Sequence, residues 1–247
     1  MIPAVVPAGF PLANIVFDTF VISDSVGKGI VVALVVASVV AWSIIVMKWS
    51  ELKKIEKADQ AFQRAFDQQR NPLELYIHGP SHNDSHLAKV YAKACVALRR
   101  EFETRAHKEH RELDRIDLSK EKLSALQIDA IRRAGDCEAA NQILLVEGQM
   151  SLLGSVYTIA PMLGLLGTVW GVMAAFHGMG QHGSANISAV APGISSALLT
   201  TVIGLVVAMP AAFMANWLND QIRFLSVQLE NFPEIFSTKL QQTFLYE

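Results

Sequence analysis

A chain of 247 residues that is 51% hydrophobic, with a mean hydropathy of +0.30, is too apolar for an ordinary soluble domain. Its formal net charge of −2 conceals an uneven layout, with nearly all Lys and Arg, and most acids, between Lys48 and Arg133. A mixed-sign block of this kind reads as a solvated helical region and excludes a nucleic-acid surface, which needs an excess of one sign.

The first element in chain order is residues 10–22 (FPLANIVFDTFVI), apolar but interrupted by Pro11, Asn14 and Asp18. This pattern predicts a short helix lying in the membrane interface. No Lys/Arg-rich leader with a small-residue cleavage site precedes it, so a secretory signal is not expected. Residues 29–47 (GIVVALVVASVVAWSIIVM) are just long enough to cross a bilayer at about 1.5 Å per residue. Trp42 and Trp49 stand near the far end, as interface anchors do.

Residues 48–150 form the charged block. From Lys48 to Gln69 neither Gly nor Pro intervenes, and Leu52, Ile55, Ala58, Phe62 and Phe66 recur at helical spacing. The first span is therefore expected to continue as a rod, ending at Asn71-Pro72 because a residue before proline avoids helical angles. Residues 78–85 read as a loop, in which Asn83, Asp84 or Ser85 can cap a helix running from about His86 to Leu113. A further helix, from about Ser119 and carrying Leu123, Leu126 and Ile131, is expected to lead without interruption into the second span. His78, His82 and His86 lie four apart, but Gly79-Pro80 breaks any helix that would gather them on a metal, so no metal site is expected. Cys95 and Cys137 lack zinc-ligand spacing and read as reduced, structural thiols.

Between Glu147 and Asp220 about seventy residues pass without Asp, Glu, Lys or Arg, which needs two crossings of a core about 30 Å thick. We place these spans at residues 151–179 and 189–218, joined by a Gly-rich turn at residues 180–188. His177 and His182 sit at its mouth and read as solvated loop histidines. Lys48, Lys53, Lys54 and Lys57 come just after the first span and Arg132 and Arg133 precede the second, whereas the turn has no cation. The positive-inside rule then sets the N-terminus outside and the C-terminus inside, with residues 48–150 and 219–247 cytoplasmic. The fold class expected is all-α: three transmembrane helices with long cytoplasmic helical extensions.

In the second span Gly164, Gly167, Thr168, Gly171, Ala174 and Ala175 give small-xxx-small spacing, which lets helix backbones approach closely in lipid. Gly193, Ala197, Thr201, Gly204, Ala208 and Ala212 give the third span a second thin face. Pro161 and Pro210 remove the normal partners of the Tyr157 and Val206 carbonyls and are expected to act as kinks. The hydroxyls of Thr168, Ser195, Ser196, Thr200 and Thr201 suggest helix contact or a narrow polar path, yet no Asp, Glu, Lys or Arg accompanies them. Helical spacing splits Ser195, Ser196 and Thr200 between faces. An intramembrane hydrolase using Ser155 and His177 is excluded, since about 33 Å of helix separates them.

Residues 159–173 (IAPMLGLLGTVWGVM) and 190–210 (VAPGISSALLTTVIGLVVAMP) closely resemble the MotA/TolQ/ExbB proton-channel family, nearest its TolQ/ExbB branch. The three-span layout with a large loop after the first span agrees with that branch and not with flagellar stators, which have four. The resemblance implies a bacterial inner-membrane homopentamer whose second and third spans line a pore. It implies, as partner, an ExbD/TolR-like single-span protein whose membrane aspartate is protonated and released, and a TonB/TolA-like transducer reaching the outer membrane. No enzyme activity and no cofactor are implied. By position, Thr168 and Thr201 match the family's pore threonines, while Ser196 stands where a glutamate is common. That departure keeps a second reading open, a non-conducting scaffold for the same kind of partner; a flagellar-stator-like proton channel is the nearest rival of the same class.

Overall fold

The computed structural model describes residues 20–21, 23–69, 71–77, 84–109, 122–182 and 187–244. Most of the expected interfacial helix at 10–22, and His78, His82 and Asn83, lie outside these residues. The helices, in order, are α1 (Ser25–Gln68), α2 (Glu74–Ile77), α3 (His86–Glu109), α4 (Ala125–Glu147), α5 (Met150–His182) and α6 (Ile187–Phe244). Among the described residues there is no strand, only an isolated bridge at Leu123, whose N–H donates to the Phe244 carbonyl at 2.8 Å. Three helical stretches are long and apolar enough to cross a membrane by length and composition. The chain divides into two compact units, Met1–Val46 with Gln149–Trp217, and Met47–Gly148 with Leu218–Glu247.

In the first unit, Ile30 and Leu34 of α1 meet Ala160 of α5 and Ala208 of α6, with Leu163, Ile203 and Val207 packed around them. Asp24 caps α1, its Oδ1 accepting the Gly27 N–H at 2.7 Å, while Oδ2 accepts the Trp170 indole N–H at 2.8 Å. Large side chains such as Val36, Val39, Met162, Val206, Met209 and Phe213 point outward and stay exposed. A surface so apolar calls for lipid or another protein rather than water.

The second unit has an ordinary aromatic core. Phe62 and Phe66 of α1, Tyr91 of α3, and Phe232 and Phe236 of α6 converge, with Phe66 and Phe232 ring centroids 5.2 Å apart and those of Tyr91 and Phe236 5.4 Å apart. The Tyr91 hydroxyl donates to the Pro72 carbonyl at 2.8 Å and accepts the Tyr76 N–H at 3.1 Å, tying the turn after α1 to α3. Lys239 lies over the Phe66 ring at 4.0 Å and donates to the Phe66 carbonyl at 3.0 Å, closing the end of α1. Of the three residues available to cap α3, Ser85 takes the place: its Oγ accepts the Ala88 N–H at 3.0 Å. Ser85 in turn donates to buried Asp59 at 2.7 Å, and Asp59 also accepts the Leu87 N–H at 3.1 Å. Burial pushes the Cys95 thiol up to about 12, so it packs as a hydrophobe and not as a nucleophile.

Three expectations need correction. The helix expected from Ser119 into the second span is broken at Gly148–Gln149, where Gln149 takes φ 70, and α5 starts afresh at Met150. Lys48 marks the break: its buried ammonium donates to the Val146 carbonyl at 3.1 Å and pairs with Glu51 at 2.9 Å, satisfying a carbonyl that the ended helix leaves free. Leu123 and Leu126 do not share a buried helical face. Ser124 caps α4 in a capping box with Gln127, which leaves Leu123 buried before the helix and Leu126 84% exposed on it. The Gly-rich turn is also shorter than expected, because α5 continues through Gly178 and Gly180 to His182. A glycine costs a helix only about 1 kcal/mol, which the remaining hydrogen bonds outweigh.

His86, at the start of α3, is buried, and its Nδ1 has no hydrogen-bond partner. Desolvation first, then repulsion from Lys89 and Lys48, holds its pKa below the ordinary value against the pull of Asp59 and Glu51. Folding therefore excludes a proton that the unfolded chain binds, so stability is full above about pH 6.5 and falls as the solution is acidified through that value. Denaturation of the solubilised protein between about pH 7.5 and 5.5, a window around that ordinary histidine value, should show this loss, and His86→Gln should flatten it. An unchanged slope in that variant would assign the pH dependence elsewhere.

Candidate functional site

The site is the seam between α5 and α6 in the first unit. Glycine is required there by distance, not by backbone angle. A Cβ at Gly164 would stand 3.0 Å from the Thr200 carbonyl oxygen and 3.0 Å from Thr201 Cα. At Gly171 it would meet Ala197 Cβ at 2.7 Å, and at Gly204 the Ala160 carbonyl oxygen at 2.7 Å. At Gly167 it would lie 2.7 Å from Thr200 Cβ, and at Gly193 3.0 Å from Ala175 Cβ. The two thin faces read from the sequence thus close on each other within one chain, as small residues permit where lipid supplies no hydrophobic drive.

Backbones this close bring hydroxyls and carbonyls together. Thr168 Oγ1 and Thr201 Oγ1 are in direct hydrogen-bond contact. Thr168 can donate to the Ala197 carbonyl at 3.0 Å or, more weakly, to the Gly164 carbonyl at 3.3 Å. Thr201 can donate to the Gly164 carbonyl at 3.0 Å. Thr200, only 2% exposed, reaches the Ala197 carbonyl at 2.7 Å and the Gly164 carbonyl at 3.1 Å. Thr168 and Thr201 are half-buried, whereas Thr200 is sealed inside its own chain.

The two serines separate from this cluster. Ser196 is buried and donates back to the Gly193 carbonyl of its own helix at 2.9 Å, and Ser195 is exposed. Both helices are continuous through their prolines, with Pro161 half-buried and Pro210 exposed. His177 is exposed. Among the described residues no group of His, Cys, Asp or Glu could hold a metal ion. A hydroxyl donates once and accepts twice, so the cluster can bond a neutral acid or its anion but cannot itself keep a net charge.

Sequence reasoning missed the Gly164 carbonyl, an acceptor shared by all three threonines, because backbone groups carry no residue signature. It also missed the Asp24–Trp170 bond, which joins residues 146 positions apart. The Trp within the GLLGTVWG segment was the available signal, since an indole N–H in an apolar span seeks an acceptor.

The fold and this seam define a class, an all-helical, multi-pass membrane protein with a hydroxyl cluster between two glycine-faced apolar helices. The model of the MotA/TolQ/ExbB proton channel family matches residues 97–231, and the chain belongs to that family. It is 28% identical over 225 residues to the Tol-Pal system protein TolQ of Haemophilus influenzae, covering 91% of this chain and 93% of the relative. To the biopolymer transport protein ExbB of Neisseria meningitidis it is 31% identical over 218 residues, 88% of this chain and 91% of the other. A shorter match to ExbB of Salmonella typhimurium reaches 49% identity over 70 residues, 28% of this chain and 29% of that protein.

Proposed function

We propose that this protein is the proton-channel subunit of an inner-membrane motor that uses the proton motive force to energise a TonB- or TolA-like protein acting on the outer membrane. The observation that carries the reading is the Thr168–Thr201 contact inside a seam with no Asp, Glu, Lys or Arg of its own. The titrating group is supplied by an ExbD/TolR-like single-span partner with a membrane aspartate. That carboxyl group is raised in pKa by desolvation when alone and lowered again when hydroxyls bond its ionised form. Each inward proton supplies about 2.3 kcal/mol per 100 mV of membrane potential, which shifts packing provided the partner binds two states differently. In this arrangement the N-terminus is periplasmic, residues 48–150 and 219–247 are cytoplasmic, and copies of the chain surround the partner, five by resemblance. The exposed apolar faces of α1, α5 and α6 then meet lipid, neighbouring copies and the partner helices.

A second reading, a non-conducting scaffold for the same partner, is favoured by Ser196, whose hydroxyl turns back on its own helix where an acid would be expected to join a relay. Co-reconstitution of the chain with its single-span partner in liposomes separates the two. Partner-dependent proton flux that is lost when the partner's aspartate becomes asparagine supports the channel. Absence of flux from the intact pair, or flux indifferent to that aspartate, rejects it.

A further inference from the structure

Thr200 lies too deep to meet any partner, yet it shares both acceptors of the half-buried Thr168–Thr201 pair, and the three hydroxyls have too few places for their protons. The Gly164 and Ala197 carbonyls each accept the helical N–H four residues on, so each has one lone pair left. Three hydroxyl protons, those of Thr168, Thr200 and Thr201, compete for these two places. One proton must therefore lie between Thr168 and Thr201, the hydroxyl–hydroxyl contact of the cluster. Its direction depends on Thr200.

With Thr200 donating to Ala197, at 2.7 Å, the Gly164 carbonyl goes to Thr201 at 3.0 Å in preference to Thr168 at the longer 3.3 Å, and Thr168 donates to Thr201. With Thr200 turned to Gly164, at 3.1 Å, the Ala197 carbonyl is left to Thr168 at 3.0 Å, and Thr201 donates to Thr168. In the first arrangement Thr168 receives no hydroxyl proton and its lone pairs are free to accept; in the second the same is true of Thr201. We infer that Thr200 is a positioning residue whose hydroxyl rotation sets the polarity of the Thr168–Thr201 pair, and so decides which of the two accepts a proton from an incoming carboxylic acid. No proton leaves its oxygen in the change, which is a concerted rotation of three hydroxyls. Gly167 belongs to the device, because any side chain there would displace Thr200. The inference rests on the proposed function for its consequence but not for its geometry.

The test compares Thr200→Val with Thr200→Ser in the full-length protein, alone in bilayers and paired with its single-span partner. Valine leaves two protons for two carbonyls, so Thr168 bonds Ala197, Thr201 bonds Gly164, and nothing remains between the pair. Solid-state NMR of the Thr168 and Thr201 hydroxyls and the Gly164 and Ala197 carbonyls should shift in the valine variant and return in the serine variant. Proton flux of the pair should fall at least about tenfold with valine and recover with serine, as expected for a group acting through hydrogen-bond orientation. Where valine prevents folding, Thr200→Ala provides the hydroxyl-free comparison. Unshifted hydroxyl signals in the hydroxyl-free variant, or serine behaving like valine, would overturn the inference, as would a shifted spectrum with undiminished flux. A wild-type pair that conducts nothing would instead defeat the channel reading, leaving the spectra to decide the hydrogen-bond arrangement by themselves.

Discussion

Thr168→Val combined with Thr201→Val is expected to abolish partner-dependent proton flux and energised work while the chain still inserts and assembles. Valine keeps the branched shape but sets two methyl groups where two hydroxyls touch, so one valine must turn or the seam must widen slightly. The polar loss is confined to two hydroxyls and their bonds to each other, to Gly164 and to Ala197. Such bonds contribute about 1 kcal/mol each, and intramembrane examples about 0.6, so their loss costs about 1–2 kcal/mol, to which the methyl contact adds a repacking cost of about 1–3 kcal/mol. The functional loss should be far larger, at least about a hundredfold in flux, the scale on which removing positioned proton-handling groups acts. Thr168→Ser with Thr201→Ser retains both hydroxyls and should conserve most of the flux. Thermal unfolding and liposome flux measured on the same preparations separate the two effects. A double-valine protein that conducts normally with its partner would remove the hydroxyl pair from the mechanism.

Each feature of the chain was legible in proportion to how local its cause is. Apolar length and the absence of charge between Glu147 and Asp220 are local properties, and they located the apolar helices well. The rod from the first span through Phe66 was legible for the same reason, since no glycine or proline interrupts it after Gly29. Small-residue spacing named both thin faces but not their register. Only the structure shows that Gly164 lies against Thr200 and Thr201, and that the Thr168 and Thr201 hydroxyls meet. The break at Gly148–Gln149 was hidden because its stabilising group, Lys48, is 98 residues away from the carbonyl it satisfies. Leu126 misled for a different reason: the helix starts only after Ser124, so the phase of the apolar pattern was set by a cap and not by the leucines. Within the hydroxyl set, a step of about 100° per residue was enough to warn that Ser195 and Ser196 diverge, but not to say which turns inward.

Gly204→Leu should be the most disruptive single change in the apolar unit. The first atom beyond Cα would already stand 2.7 Å from the Ala160 carbonyl oxygen and 3.2 Å from Gly164 Cα. Both obstacles are backbone, so no side-chain rotation relieves them and the helices must part. Overpacking costs about 1–3 kcal/mol where side chains can yield, and a backbone collision with a full leucine should exceed that range. The consequence reaches the hydroxyls, because the Gly164 residue pushed away is the one whose carbonyl holds Thr201 and Thr200. Gly204→Ala should be intermediate, since it makes the same first contact without the further atoms. Gly178→Ala is the matched control: a Cβ there meets nothing within 4 Å among the described residues, and replacing a helical glycine adds helix stability of up to about 1 kcal/mol. Thermal unfolding in detergent should rank the leucine variant lowest, then Gly204→Ala, with Gly178→Ala at or above wild type, and flux should be lost in the leucine variant alongside its stability. If leucine at 204 were tolerated as readily as alanine at 178, the close approach of α5 and α6 could not be what sets the hydroxyls in place.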